Sequence, residues 1–173
     1  MRFAELAATS AEVSVTSSRR AKTGLLAQAL RGLDPDEVEA GAAYLAGELR
    51  QRQIGVGWAS LRDLPPAAGT PTLTVRDVDA RLAAIGAQSG AGSQGRRRQL
   101  VQELFAAGTD AEQAMLRGLL SGELRQGAQA GLLVDAIAQA ASVPVPAVRR
   151  ALLLSGDLRT VARAALVLSL IHI

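Results

Sequence analysis

Helix-start signals recur along this chain at short intervals, and they constrain its fold more than any other feature. Asp34-Pro35-Asp36-Glu37 offers a capping side chain, a proline suited to the first helical position and an acid that reaches back to the cap. Thr74-Val75-Arg76-Asp77 and Thr109-Asp110-Ala111-Glu112 repeat the pattern. The apolar residues between them are mostly Ala, Leu and Val, with aromatics at only 2%. Ala, Leu, Arg and Gln lose little conformational freedom in a helix. Runs of β-branched and aromatic residues of the strand type are absent. The sequence therefore predicts an all-α, multi-helix domain.

The punctuation places the helices. A first one is expected from about Arg2 to Val13. A second, capped by Ser17 or Ser18, carries Leu25, Leu26, Ala29, Leu30 and Leu33 on one face. A third starts at Asp34-Pro35 and ends near Gly47, and a short helix opens at Gly57-Trp58 and stops at Pro65-Pro66. Others are expected from Thr74 to about Ala87, from Arg96 to Gly108, and from Thr109 to about Leu120. Three more follow, over roughly Ala130–Ala141, Val148–Leu154 and Asp157–Leu166. Tyr44 and Trp58 read as core anchors.

The chain also repeats itself. Gly47-Glu48-Leu49-Arg50-Gln51 recurs 75 residues later as Gly122-Glu123-Leu124-Arg125-Gln126. At the same offset Leu25-Leu26 meets Leu100-Val101, Leu30 meets Phe105, and Glu37 meets Glu112. We read two similar helical lobes, about 16–64 and 96–141, related by a pseudo-two-fold axis, with an extra helix in the connection.

Catalytic chemistry finds few residues. His172 is the only histidine and cysteine is absent, so neither a serine–histidine–aspartate triad nor a thiolate metal site is available. No phosphate loop of the GxxxxGK[ST] type occurs. Glu48 and Glu123 form a pair through the repeat, but solvated glutamates beside turns are the commoner case. Met1–Glu5 has no apolar signal core, and the longest apolar stretch, Ala164–Ile173, is far short of the roughly 20 residues a membrane span needs. A cytoplasmic, nucleoid-associated monomer is expected, without a membrane partner.

The cations carry more. Lys22 is the only lysine among 19 cationic residues, and the formal net charge is +3. Arginine forks suit phosphate oxygens, although a GC-rich coding sequence produces the same bias. Arg19-Arg20-Ala21-Lys22, Arg96-Arg97-Arg98 and Arg149-Arg150 lie near helix starts, where positive charge opposes the helix dipole. In each repeat a helix ends at glycine, a Glu-Leu-Arg-Gln strip follows, and glycine recurs before the next helix. These are Gly55 and Gly57 in the first copy and Gly127 and Gly131 in the second. Bare amides at such bends, beside Arg50, Arg52 and Arg125, suit backbone phosphates. Glycines that only cap helices are the plainer alternative.

Several strings together resemble a family. Thr16-Ser17-Ser18-Arg19, Lys22, Leu33-Asp34-Pro35, Tyr44-Leu45-Ala46-Gly47-Glu48-Leu49 and Ile54-Gly55-Val56-Gly57-Trp58 resemble the N-terminal domain of ATP-dependent DNA ligases. So do Ser121–Ala128, Val148-Arg149-Arg150-Ala151 and Leu154-Ser155-Gly156-Asp157-Leu158. The likeness is to bacterial enzymes of actinobacterial type and covers about residues 1–166. It implies an all-helical DNA-binding domain lying across the minor groove at a nick, sequence-independent in its contacts and acting in replication, repair and recombination. Its partners would be nicked duplex DNA and the ligase's nucleotidyltransferase and OB-fold domains. The implied contacts are Gly122, Arg125 and Gly127, then Arg50, Gly55 and Gly57 of the first loop, and the basic clusters add Arg19, Lys22 and Arg149 as candidates.

The ligase nucleophile is a lysine in a Lys-x-Asp-Gly motif, whereas here the only lysine heads Lys22-Thr23-Gly24-Leu25. The resemblance therefore implies no cofactor in this chain and no sealing by it alone. ATP and Mg²⁺ belong to the full-length ligase. Residues 167–173 depart from the family pattern and read as unrelated sequence at a truncation. The alternative is a helical protein–protein interaction module with no nucleic-acid role, which would show an exposed apolar patch.

Overall fold

The computed structural model describes residues 1–51, 54–124 and 129–168. It is all-helical, with no strand among the described residues. The helices are α1 (Phe3–Val15), α2 (Arg19–Arg31), α3 (Val38–Leu45), α4 (Val75–Gly86), α5 (Ser93–Ala106), α6 (Asp110–Ser121), α7 (Gln129–Ala141), α8 (Val145–Ser155) and α9 (Leu158–Arg163). A 3₁₀ turn occupies Trp58–Leu61, and a π-helical turn, Ala164–Leu168, continues α9. Among the described residues, no helix is long and apolar enough to cross a membrane.

α1 organises the centre. Its start is pinned by a backbone pair to the entry of α4, Phe3 N–H to the Leu73 carbonyl at 2.9 Å and Val75 N–H to the Met1 carbonyl at 3.1 Å. Phe3 and Leu6 are fully buried, and the Phe3 ring meets Tyr44 edge-on at 6.1 Å between centroids. α1 packs on α2, α3, α4 and α6, while α2 lies along α7 and α3 on α9. Arg31 closes the C-terminus of α7, donating to the Gln139 carbonyl at 2.6 Å and the Ala140 carbonyl at 3.3 Å. One apolar core runs through all these elements, so elements from the two halves of the chain stabilise each other.

The offset of 75 residues is visible in the backbone. α2 and α3 occupy the same relative positions as α5 and α6. Glu37 accepts the Asp34 N–H at 3.1 Å, and Glu112 accepts the Thr109 N–H at 2.8 Å. Gly47 and Gly122 both take φ +74°, the left-handed conformation that ends a helix at little cost only for glycine. Both glutamates are buried. Replacing Glu112 with alanine is expected to cost about 1–2 kcal/mol, because two donors at the start of α6 lose their acceptor. The urea unfolding midpoint measures it.

Several boundaries differ from the sequence reading. α3 starts at Val38, three residues after Pro35: Asp34–Glu37 closes as a turn, with the Glu37 N–H on the Asp34 carbonyl at 2.8 Å, and the Glu37 carboxylate accepts both the Asp34 N–H and the Met1 ammonium. α5 starts at Ser93, after left-handed Gly92, so Arg96 sits inside its first turn. α8 starts at Val145 behind Pro144. Tyr44 is the expected core anchor, but Trp58 is not: its side chain is 60% exposed. Val167 packs against the core, and residues 169–173 lie outside the described residues.

Two caps set the acid response. The Thr74 side chain first, and its N–H second, hold the Asp77 carboxyl below the usual range. The Arg159 guanidinium does the same for Asp157 at the start of α9. A carboxyl whose folded pKa is depressed stabilises above its unfolded value and loses that contribution as pH falls through the folded one. The thermal midpoint is therefore expected to be flat above about pH 5 and to fall below about pH 4.

Candidate nucleic-acid interface

The first glycine bend follows α3. Gly47 reverses the chain, with the Glu48 N–H reaching back to the Ala43 carbonyl at 2.9 Å. The strip after it is tied down by one carboxylate. Asp79, on α4, accepts the Tyr44 hydroxyl at 3.1 Å, Gln51 Nε2 at 2.8 Å, and a two-pronged Arg50 guanidinium at 3.0 and 2.7 Å. Burial first, and then the Asp79 charge, hold the Tyr44 hydroxyl protonated well above its ordinary range. From the other side Arg159 donates to the Arg50 carbonyl at 3.0 Å. Arg50 thus stays open to water on one side while its guanidinium is tied to Asp79, bracing the bend.

Further along, Ile54 is buried against Gly86 at the end of α4, and Gly55 takes φ +70°. The Arg97 guanidinium from α5 lies on Gly55, so a Cβ there would come within 3.1 Å of Arg97 Cζ. Arg97 Nη2 donates to the Gln88 carbonyl at 2.6 Å. Gly57 is exposed and has open space where a side chain would be. The structure therefore brings Arg97, from one of the sequence's basic clusters, to this bend.

The second bend follows α6. Gly122 ends that helix, and Leu124 folds back on Gly118, its N–H meeting the Gly118 carbonyl at 3.3 Å. Arg125 and Gly127, and Arg52 in the first bend, lie outside the described residues. α7 rises from this bend with Gly131 exposed in its first turn. Arg19 Nη2, from the first turn of α2, lies 3.7 Å from where a Gly131 Cβ would be. One turn further on, Asp135 pairs with Arg19 at 2.8 Å and with Arg149 of α8 at 3.6 Å. Lys22 follows Arg19 by one turn of α2, partly exposed. At Asp135 two guanidinium groups thus meet one carboxylate.

The structure thus sorts the expected residues into groups. It brings Arg19 and Arg149 together at Asp135, one turn past Gly131 on α7, leaves Lys22 partly exposed one turn along α2, places Arg97 on Gly55 at the first bend, and ties the half-exposed Arg50 to Asp79. Sequence reasoning missed Asp79 and Asp135, which fix the arginines, and the placement of Arg97. Their partners are 29 and 116 residues away in the chain, and no local pattern links them.

The fold is all-helical, and by similarity to known proteins the chain belongs to the DNA ligase N-terminal domain family. The family model described as DNA ligase N terminus matches residues 60–138. A probable DNA ligase of Mycobacterium marinum is 58% identical over 168 residues, covering 96% of this chain and 33% of that protein. One of Mycolicibacterium gilvum is 53% identical over 166 residues, covering 96% of this chain and 32% of the relative. One of Beutenbergia cavernae is 55% identical over 166 residues, with the same coverages. The chain spans about one third of the length of these relatives.

Proposed function

We propose that this chain is the DNA-binding domain of an ATP-dependent DNA ligase and grips the sugar–phosphate backbone across the minor groove at nicks. The observation that carries the reading is the delivery of arginines to both glycine bends from elements distant in sequence: Arg97 onto Gly55, and Arg19 with Arg149 beside Gly131. Guanidinium groups beside exposed glycine backbone suit phosphate oxygens and carry no base readout. Gly55, Gly57, Gly122, Arg125, Gly127, Arg19, Lys22 and Arg149 are the proposed contacts, in two repeated lobes of one clamp. Arg50 acts one step back, fixing the first bend. In the full-length ligase the domain would work with a nucleotidyltransferase and an OB-fold domain that use ATP and Mg²⁺, in the cytoplasm on nucleoid DNA during replication, repair and recombination.

The test is binding of the purified chain to nicked duplexes of unrelated sequence. Equal affinities, lost when a small minor-groove ligand occupies the duplex, are expected. Affinities that track sequence, or no binding at low salt, contradict the proposal. Replacing Arg125 with alanine should weaken binding uniformly and flatten the log–log salt slope by about one.

A second reading, a helical docking module for a protein partner, draws on Leu153 and Leu154, which stand exposed on α8. It predicts binding indifferent to salt, and duplex affinity unchanged when both leucines become serine.

A further inference from the structure

Of the four aromatic residues, three are sealed in the core: Phe3, Tyr44 and Phe105. The fourth, Trp58, stands in the open, and its exposure is built rather than incidental. Residues 54–63 form a strap fastened at several points. Ile54 is buried against Gly86, Gly55 lies under the Arg97 guanidinium, Leu61 is buried in the core, and the Asp63 carbonyl accepts Gln102 Nε2 at 2.7 Å. The Ser60 N–H closes onto the Gly57 carbonyl at 2.9 Å. Between these fastenings Gly57 enters the turn extended and Trp58 opens it, so its indole is held outward.

A tryptophan held out of a well-packed apolar core forgoes a large gain from burial, which calls for an external surface to bury it. Among the described residues the other exposed large apolar ones, Val15, Leu153, Leu154 and Leu168, belong to α1, α8 and the π-helical turn rather than to this strap. Along the strap the exposed residues beside Trp58 are Gly55, Gly57, Ala59, Arg62 and Asp63, and the Arg97 guanidinium lies on Gly55. A protein-docking patch gathers apolar residues around its anchor. An isolated indole between bare backbone and guanidinium groups fits a phosphodiester edge better, where the apolar face of deoxyribose lies beside its phosphates.

We propose that Trp58 is a duplex-contacting residue. Its indole lies against the deoxyribose edge of the strand whose phosphates the Gly55–Arg97 corner meets, and its N–H is free to donate to a groove-facing acceptor. This rests on the DNA-binding reading above and adds to it an apolar contact, independent of salt, that a purely electrostatic clamp lacks.

Trp58 is the only tryptophan, so its emission reports on this site alone. Titrating the chain with nicked duplex is expected to quench or shift that emission to saturation, with the same midpoint as anisotropy of labelled DNA. Trp58→Ala is expected to weaken binding about 5- to 30-fold with the salt slope unchanged, and Trp58→Phe to keep it within about threefold. Unchanged helicity by circular dichroism shows that both variants are folded. Emission unmoved at saturation, or Trp58→Ala binding within about twofold of wild type, overturns the proposal while leaving the DNA-binding reading standing. Emission that moves only when the rest of a homologous ligase is added assigns Trp58 to a contact between domains, and also overturns it. Absence of any duplex binding by the wild-type chain overturns both.

Discussion

Converting Arg19 and Arg149 together to glutamate is expected to weaken nicked-duplex binding by about two orders of magnitude and to flatten the salt slope by about two. Both guanidinium groups attend Asp135 beside the exposed glycine of α7. Reversal leaves three carboxylates where a phosphate would sit, so repulsion adds to the lost attraction. The fold should survive. The two side chains are 62% and 64% exposed, and surface pairs of this kind contribute little to stability. An acid at the first turn of α2 also suits the helix dipole better than the arginine it replaces. The same geometry predicts the opposite sign for Asp135→Asn, which releases both arginines and should tighten binding about three- to tenfold. If the double reversal bound within threefold of wild type, the second bend would not be a phosphate site.

The largest expected loss of stability lies at the first bend. Asp79→Ala is expected to cost about 2–4 kcal/mol in urea unfolding. Asp79 is only 17% exposed and accepts from Tyr44, Arg50 and Gln51 at once. Its removal leaves the Tyr44 hydroxyl buried without its acceptor, in contact with the core that Phe3 and Tyr44 build. Most of the cost comes from that buried hydroxyl; Arg50, more open to water, adds little. The strip after Gly47 should also loosen, visible as faster amide exchange at Glu48–Gln51 than in the wild type. Tyr44→Phe, which removes donor and keeps ring, should cost much less. Equal costs for the two variants would show that Asp79 does not hold the bend.

What the sequence made legible was local. The caps at Thr74 and Thr109 are read from residues three apart, and the structure shows both acids reaching back. The repeated Gly-Glu-Leu-Arg-Gln string was legible from residue identity, and its two glycines, Gly47 and Gly122, share the left-handed conformation. The start of α3 was misread because Asp34–Glu37 closes as a turn, and the Glu37 carboxylate also accepts the Met1 ammonium, 36 residues away. Trp58 was misread for a similar reason. Its exposure depends on how a strap is fastened across α5, and an aromatic beside Ile54 and Leu61 looks like core. At the bends the glycines and arginines could be named, but not how they divide. Which arginine each carboxylate holds depends on helices distant in sequence, as with Arg50 on Asp79 and Arg19 on Asp135.

The most direct test of the account is the salt dependence of duplex affinity for the intact chain. Binding to a nicked oligonucleotide duplex, measured between about 50 and 200 mM salt, should give a log–log slope near −4 to −5, as expected for about four to six neutralised phosphates. The slope should be the same for duplexes of unrelated sequence. A slope near zero, or no binding at the lowest salt, would contradict the claim that arginines at two glycine bends hold the DNA backbone.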